Sequence, residues 1–353
     1  MKVLLIIVAV LGMSMSFPQA PADSGGLRSL PVNVKENRRL KLSDIASDVR
    51  KVTPEFSEES AFGRVDKLVL CNDGFLVKAP YDNVLLFDDD GKFVRRIGDQ
   101  WTDHSLFNVN FIDITFDGAE GIIYISTLRN GVLKFGLDGS YKGSINHLPR
   151  PEGLQFSNNT LYGIPSTAPV KIGNKYRNQA QLFTYSLKEN QTDSVKIWTI
   201  FRDYGIISGT SIKDFISVVD NQVYVSYPCL YTEAFARDTL YKYQGKELLP
   251  AMKLDFGNEA GPGPSGIKQI QLGHICVVGN YVFADYVYKK EDYFYLYDLR
   301  IGSGSNMKQG LRDNMTHCGI IRIRPLGNNQ FYYTHREESE DDRNVDIYIG
   351  TFK

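Results

Sequence analysis

Residues 83–97, NVLLFDDDGKFVRRI, align without a gap on residues 131–145, GVLKFGLDGSYKGSI. Val84, Leu85, Phe87, Asp90, Gly91, Phe93 and Ile97 fall on Val132, Leu133, Phe135, Asp138, Gly139, Tyr141 and Ile145. Two alternating apolar runs joined through Asp-Gly are a strong hairpin signal: the Asp accepts hydrogen bonds from nearby amides and the Gly takes the positive φ the turn needs. Asp88, Asp89 and Asp90 read as a solvated turn, because no Ca²⁺-loop ligand spacing surrounds them.

Working outward, a turn doublet that opens a β-rich run occurs six times. The copies are Asn72-Asp73-Gly74 into FLVKA, Ala119-Glu120-Gly121 into IIYIS, Asn158-Asn159 into TLYGI, Asp220-Asn221 into QVYVS, Gly279-Asn280 into YVFAD and Asn328-Asn329 into QFYYT. Each is preceded by an apolar run and followed by a further strand-like run. Hairpins with added strands, repeating at roughly 40–60 residues, are the signature of propeller blades. The blades are expected at 62–98, 111–145, 152–200, 212–256, 267–311 and 318–353, with longer inserts at 165–180, 228–238 and 286–292. The sixth blade runs out of chain after three strands. A strand at 48–56 is expected to complete it and close the ring, which removes an open sheet edge. The fold class is therefore all-β, a six-bladed β-propeller whose N-terminal strand completes the C-terminal blade.

The chain has 353 residues, 42% of them hydrophobic and 12% aromatic, enough for one large domain spanning 41–353. A formal net charge of −1 and the lack of a basic stripe argue against nucleic acid as a partner. Lys2 followed by VLLIIVAVLGM reads as an export signal, too short to span a bilayer, with residues 1–22 as the signal peptide and cleavage near Ser16 or Ala22. No cysteine lies near it, so no lipid anchor is expected, and the mature protein should be periplasmic or extracellular without a membrane span. Residues 23–40 read as a polar, irregular segment. Cys71, Cys229, Cys276 and Cys318 show no disulfide framework and are expected as buried free thiols, Cys276 and Cys318 being the one pair adjacent enough to test.

The run LKLSDIASDVRKVTPEF at 40–56 and GRVDKLVLCNDGFLVKAPYDNVLLFDDDGKFVRRIG at 63–98 resemble the opening of a six-bladed β-propeller family abundant in secreted Bacteroidetes proteins, related to NHL-repeat and TolB-like propellers. The resemblance is strong over 41–145. It departs at Asp99–His104, where the family often carries a Gly-rich stretch; a GPGPSG run appears instead at 261–266. The resemblance implies fold and compartment and carries no site residues across.

No nucleophile elbow, zincin helix or P-loop pattern occurs. The connectors between blades gather polar and aromatic residues, and a ligand-binding channel mouth is expected from Trp101, His104, His147, Arg150, Arg202, Tyr204 and His317. The leading expectation is a binding or scaffolding module for a peptide, glycan or protein, without cofactor. The alternative follows from related propellers that are lyases or lactonases with a channel metal: His104, His147 and His317 would then hold a divalent ion. The tyrosine-rich stretch Tyr281–Tyr297 reads as two packed strands, by its alternation, and the acidic run 337–342 as a solvated hairpin loop.

Overall fold

The computed structural model describes residues 26–80, 84–98, 111–128, 131–146, 148, 151–165, 170–202, 214–227, 237–263, 266, 268–336 and 343–353. Six antiparallel sheets form a β-propeller. Blade one is Lys67–Cys71, Gly74–Lys78, Val84–Phe87 and Phe93–Arg96. Blade two is Phe111–Asp117, Ile122–Thr127, Val132–Gly136 and Tyr141–Ile145. Blade three is Pro151–Ser157, Thr160–Pro165, Lys175–Ser186 and Gln191–Arg202, with Val170–Ile172 added beside the third strand. Blade four is Ile216–Val219, Gln222–Val225, Thr239–Gln244 and Glu247–Asp255. Blade five is Ile270–Val278, Tyr281–Tyr288, Glu291–Asp298 and Ser303–Lys308. Blade six is Arg324–Gly327, Gln330–His335 and Asp346–Phe352, completed by Ala46–Val52.

The turns that separate these strands obey local chemistry. Asn158 and Asn159, Asp220 and Asn221, and Asn328 and Asn329 all sit at positive φ between 48° and 63°. A two-residue hairpin turn of type I′ requires positive φ at both positions, and Asn and Asp tolerate it best after Gly. In the Asp-Gly turn of blade one, Asp88 Oδ1 accepts the amides of Asp90 (3.1 Å) and Lys92 (2.8 Å), and Gly91 has φ 86°. A Cβ on Gly91 would come within 2.8 Å of Val52 Cγ1, so this turn is also where blade one touches the ring-closing strand.

The strands are apolar on both sides because each blade is packed between two others. Among the described residues six hydrophobic clusters form, one at each blade junction. Leu85, Phe87 and Phe75 face blade six, while Leu76, Val84 and Leu86 face blade two: the period of two in FLVKA and VLLFD splits each strand between neighbouring interfaces. The tyrosine-rich stretch is two such strands, with Tyr281, Tyr286, Tyr288, Tyr295 and Tyr297 buried.

Closure runs through the N-terminus, as expected. Ala46–Val52 pairs antiparallel with Asp346–Phe352, from Ala46 opposite Phe352 to Val52 opposite Ile347. Leu42, Ile45 and Ala46 enter the cluster between blades five and six, and Val52 enters the one between blades six and one.

Three features differ from the sequence reading. The segment expected to be polar and irregular contains Arg28–Pro31, which pairs in parallel with the outer strand of blade four as its fifth strand. Leu30, Val32 and Val34 are buried against blades four and five. The chain then crosses the outer edge of blade five, where Asn306 Nδ2 donates to the carbonyls of Asn33 (3.2 Å) and Glu36 (3.0 Å). Second, residues 286–292 form no insert: two long strands meet in a tight turn at Lys289 (φ 51°) and Lys290 (φ 66°). Third, of the cysteines only Cys276 is buried among the described residues; Cys71 and Cys318 are free and half-exposed. Cys229 lies outside the described residues, as does the acidic run 337–342.

Deleting residues 41–56 should leave blade six with an open edge. Leu42, Ile45 and Val52 are at most 4% exposed, and returning them to water should cost about 5 kcal/mol. Urea denaturation of the truncated chain checks this; an unchanged midpoint and slope would overturn the closure.

Candidate functional site

The inner strands of the six blades touch in a closed cycle, each against the inner strands on either side. They enclose an axial cavity of about 320 Å³. Charged residues stand on or at the entry to these inner strands: Lys67 and Arg324 open theirs, Asp113 lies within its strand and Asp214 just precedes one. The charges are paired across blades. Lys67 of blade one donates to Asp113 Oδ2 of blade two (3.0 Å) and to the Leu154 carbonyl of blade three (2.8 Å). Asp113 Oδ2 also accepts the Leu154 amide (2.6 Å), so one carboxylate ties three blades. Burial pushes the Asp113 carboxyl above its usual range, with the Lys67 ammonium pulling it back.

On the opposite side, Arg324 of blade six donates through Nε (2.9 Å) and Nη2 (2.8 Å) to Asp214 Oδ2, which leads into blade four. Its Nη1 donates to the carbonyl of Asp66 (2.7 Å), just before blade one. The Cys276 thiol of blade five donates to the Asp214 carbonyl (3.0 Å), and burial raises its pKa well above the usual thiol value. Neutral rivets complete the ring: Thr115 Oγ1 accepts the Phe156 amide (3.0 Å), and Ser217 Oγ accepts the Val277 amide (3.1 Å). On the inner strand of blade five, His274 is 2% exposed and faces Asp285 of the second strand at 3.7 Å; neither ring nitrogen makes a hydrogen bond among the described residues. Burial holds the Asp285 carboxyl above its usual range, against His274, Arg322 and Arg324.

With Lys67 and Asp214 neutralised, the cavity wall offers neutral polar groups. Gln155, Ser157, Asn221 and Asn328 line it, and their side chains make no hydrogen bond among the described residues. By residue type the lining is largely apolar, with a few amide and hydroxyl groups set on strands and tight turns among Leu, Val, Ile and Phe side chains, suited to uncharged hydrogen-bonding ligands rather than to ions.

Trp101, His104, His147, Arg150 and Tyr204 lie outside the described residues. Arg202 is the last residue of the outer strand of blade three, paired with Tyr176. His317 sits at positive φ (66°) in the connector from blade five to blade six. It lines a second cleft with Arg38, Arg39 and Arg312, and is not among the residues lining the axial cavity. That connector is held by Asp313, whose carboxylate accepts the amides of Met315 (2.9 Å), Thr316 (2.9 Å) and Cys318 (3.0 Å) and the Thr316 hydroxyl. Burial opposes its charge, but these donors, the Thr316 hydroxyl foremost, outweigh burial and bring the carboxyl from 3.8 down to about 2. Among the described residues no group of three or more His, Cys, Asp or Glu is placed to hold a metal ion.

Lys67, Asp113, Asp214 and Arg324 were missed as site residues. The available signal was a charge inside a strand-like run: Asp113 in FIDITF, Arg324 in IIRIRP, and Lys67 and Asp214 at the entry to KLVL and FISVV. A charge that must be buried with a strand is either paired or functional.

The profile of the family described as Domain of unknown function (DUF4934) matches residues 27–344, and the chain belongs to that family. Among solved structures, a protein described as exported, from Bacteroides fragilis NCTC 9343, is similar with a TM-score of 0.63 and 12% identity; the match covers 93% of this chain and 100% of that one. BamB from Moraxella catarrhalis is similar with a TM-score of 0.47 and 10% identity, over 86% of this chain and 100% of that one. No curated protein matches the sequence. Among the described residues no helix is long and apolar enough to cross a membrane.

Arg324→Met or Asp214→Asn alone should destabilise the fold by about 3–5 kcal/mol by leaving a buried charge unpaired, whereas the double variant should recover much of that loss. A denaturant double-mutant cycle with additive losses would contradict the pairing. For Asp313, the folded pKa lies below the unfolded one, so its stabilisation is complete above about pH 4 and is lost as pH falls through about 2. Asp313→Asn should therefore lower stability at neutral pH and flatten its decline between pH 4 and 2, as read from melting temperatures across that range.

Proposed function

We propose that this chain is an exported recognition or scaffolding module of the secreted six-bladed propeller type, related to NHL-repeat and TolB-like propellers, which binds an uncharged, hydrogen-bonding ligand at its axial cavity. Peptide and glycan ligands both present such groups. The observation that carries the reading is the division of labour around the axis: charged side chains are consumed in holding blades together, while Gln155, Ser157, Asn221 and Asn328 are left to face the cavity. A concave, rigid site with a few convergent polar groups is the form ligand sites take, and a cavity of about 320 Å³ is at the small end of that range. Export is supported by the apolar stretch at 3–13 after Lys2 and by the fold-level likeness to the Bacteroides fragilis protein described as exported.

A binding module of this kind holds its ligand without transforming it, so affinity is the quantity to measure. Calorimetric titration with a panel of neutral oligosaccharides and capped peptides should give saturable binding of at least one member. Gln155→Ala and Asn221→Ala should each weaken it by about tenfold, the worth of one or two hydrogen bonds. Failure of the whole panel to bind, or binding indifferent to both substitutions, would overturn the reading.

A further inference from the structure

The cleft that holds His317 has a composition opposite to that of the axial cavity. It encloses about 630 Å³, and none of its lining residues lines the axial cavity. One wall is the N-terminal segment, contributing Asn37, Arg38 and Arg39; the other is the end of blade five and the connector beyond it, contributing Lys308, Arg312 and His317. The walls are fixed to one another through the main chain. The Arg38 amide donates to the Asn306 carbonyl (2.8 Å), the Lys308 amide to Asn37 Oδ1 (2.9 Å) and the Arg312 amide to the Leu40 carbonyl (3.0 Å).

Positive charge in this cleft is only partly balanced by carboxylates. Arg38 is engaged by Glu36 (2.5 Å), and Lys308 pairs with Glu291 (3.1 Å) where both are solvent-exposed, a pairing worth little. Arg39 and Arg312 are exposed and have no ion pair among the described residues. The one acid in the lining, Asp313, is ionised but directs its oxygens to the donors of its own loop, leaving one negative charge against the four lining cations Arg38, Arg39, Lys308 and Arg312. That loop holds His317 at a left-handed φ, where a non-glycine residue is uncommon, and so presents the imidazole at the cleft. Two guanidinium forks without ion-pair partners among the described residues, lining one cleft from walls that hydrogen bonds hold together, are the groups that bind planar or tetrahedral oxyanions best. The volume exceeds what a bare inorganic anion fills, and Ile320, 57% exposed, adds an apolar surface to the lining.

We propose that this cleft is a second binding site, specific for small organic oxyanions, with Arg39 and Arg312 as the anion clamp and His317 and Lys308 as flanking donors. It is independent of the axial cavity and does not require that site to bind anything.

The test is calorimetric titration of the full chain at low ionic strength with galacturonate, with galactose as its uncharged counterpart, and with inorganic sulfate and phosphate. Galacturonate is expected to bind saturably and more tightly than either inorganic ion, and to weaken as salt is raised. Arg39→Ala and Arg312→Ala should each reduce its affinity by about tenfold or more, whereas Lys142→Ala, an equal charge loss on blade two, should not. Both side chains are exposed, so the melting temperatures should stay near that of the parent. If Arg312→Ala misfolds, Arg39→Glu, on the N-terminal wall alone, must by itself abolish binding. Galactose binding that Arg39→Ala or Arg312→Ala weakens, inorganic ions binding more tightly than galacturonate, no saturable binding of any anion, or galacturonate affinity unchanged in the arginine variants would each overturn the proposal.

Discussion

Ring closure is the constraint on which the rest of the structure depends. A propeller blade is buried on both faces only if a blade stands on either side of it, so the arrangement has no stable open form of the same size. Here the first and last blades meet because Ala46–Val52 supplies the outer strand beside Asp346–Phe352. The same segment puts Leu42, Ile45 and Val52 into two of the interblade clusters. An edge that would otherwise offer unpaired amides and carbonyls to another chain is thereby consumed. The preceding residues extend the closure into a belt: Arg28–Pro31 caps blade four, residues 33–40 cross blade five, and the chain arrives at blade six. Three consecutive blades are strapped by one continuous segment.

Toward the axis the problem changes. The inner strands converge, there is less room for large apolar side chains, and charged groups enter. Burying a charge costs far more than burying a neutral group unless a partner is supplied. The partners come from other blades: Lys67 with Asp113 and the Leu154 carbonyl, Arg324 with Asp214 and the Asp66 carbonyl. Such pairs contribute little net stability compared with an apolar core of equal volume, but a pair formed in only one arrangement of the blades fixes that arrangement. The axial cavity inherits its rigidity and its neutrality from this pairing. Its open groups are amides and hydroxyls because the charges around it are already spent on structure.

The belt generates the second cleft as a by-product of closure. Where it passes from blade five to blade six, its arginines stand across from Arg312 and the Asp313 loop. One molecule then carries two concavities of opposite electrostatic character, a neutral one on the axis and a cationic one at the edge. A recognition module with such a pair is suited to ligands that combine neutral and anionic parts or to two separate ligands.

The blades were legible in the sequence because their signals are local. Asp-Gly and Asn-Asn doublets dictate turns through the φ values of the two residues involved, and alternation dictates which side of a strand is apolar; both act within a few residues. Closure by an N-terminal strand was legible by subtraction, since blade six lacked a strand. The belt was legible in principle from the alternation of Leu30, Val32 and Val34, but its polar surroundings hid it, and parallel pairing with a strand more than 200 residues away leaves no local mark. Sequence could also name His317 as exposed and chemically able. It could not say that His317 faces Arg39 and Arg312 rather than the axis, nor that Lys67, Asp113, Asp214 and Arg324 surround that axis. Those juxtapositions depend on which residues of six separate inner strands, and of the belt around them, end at the same height and the same side. Only the assembled ring fixes that, because it is the packing between blades, not any property within one, that sets their relative position.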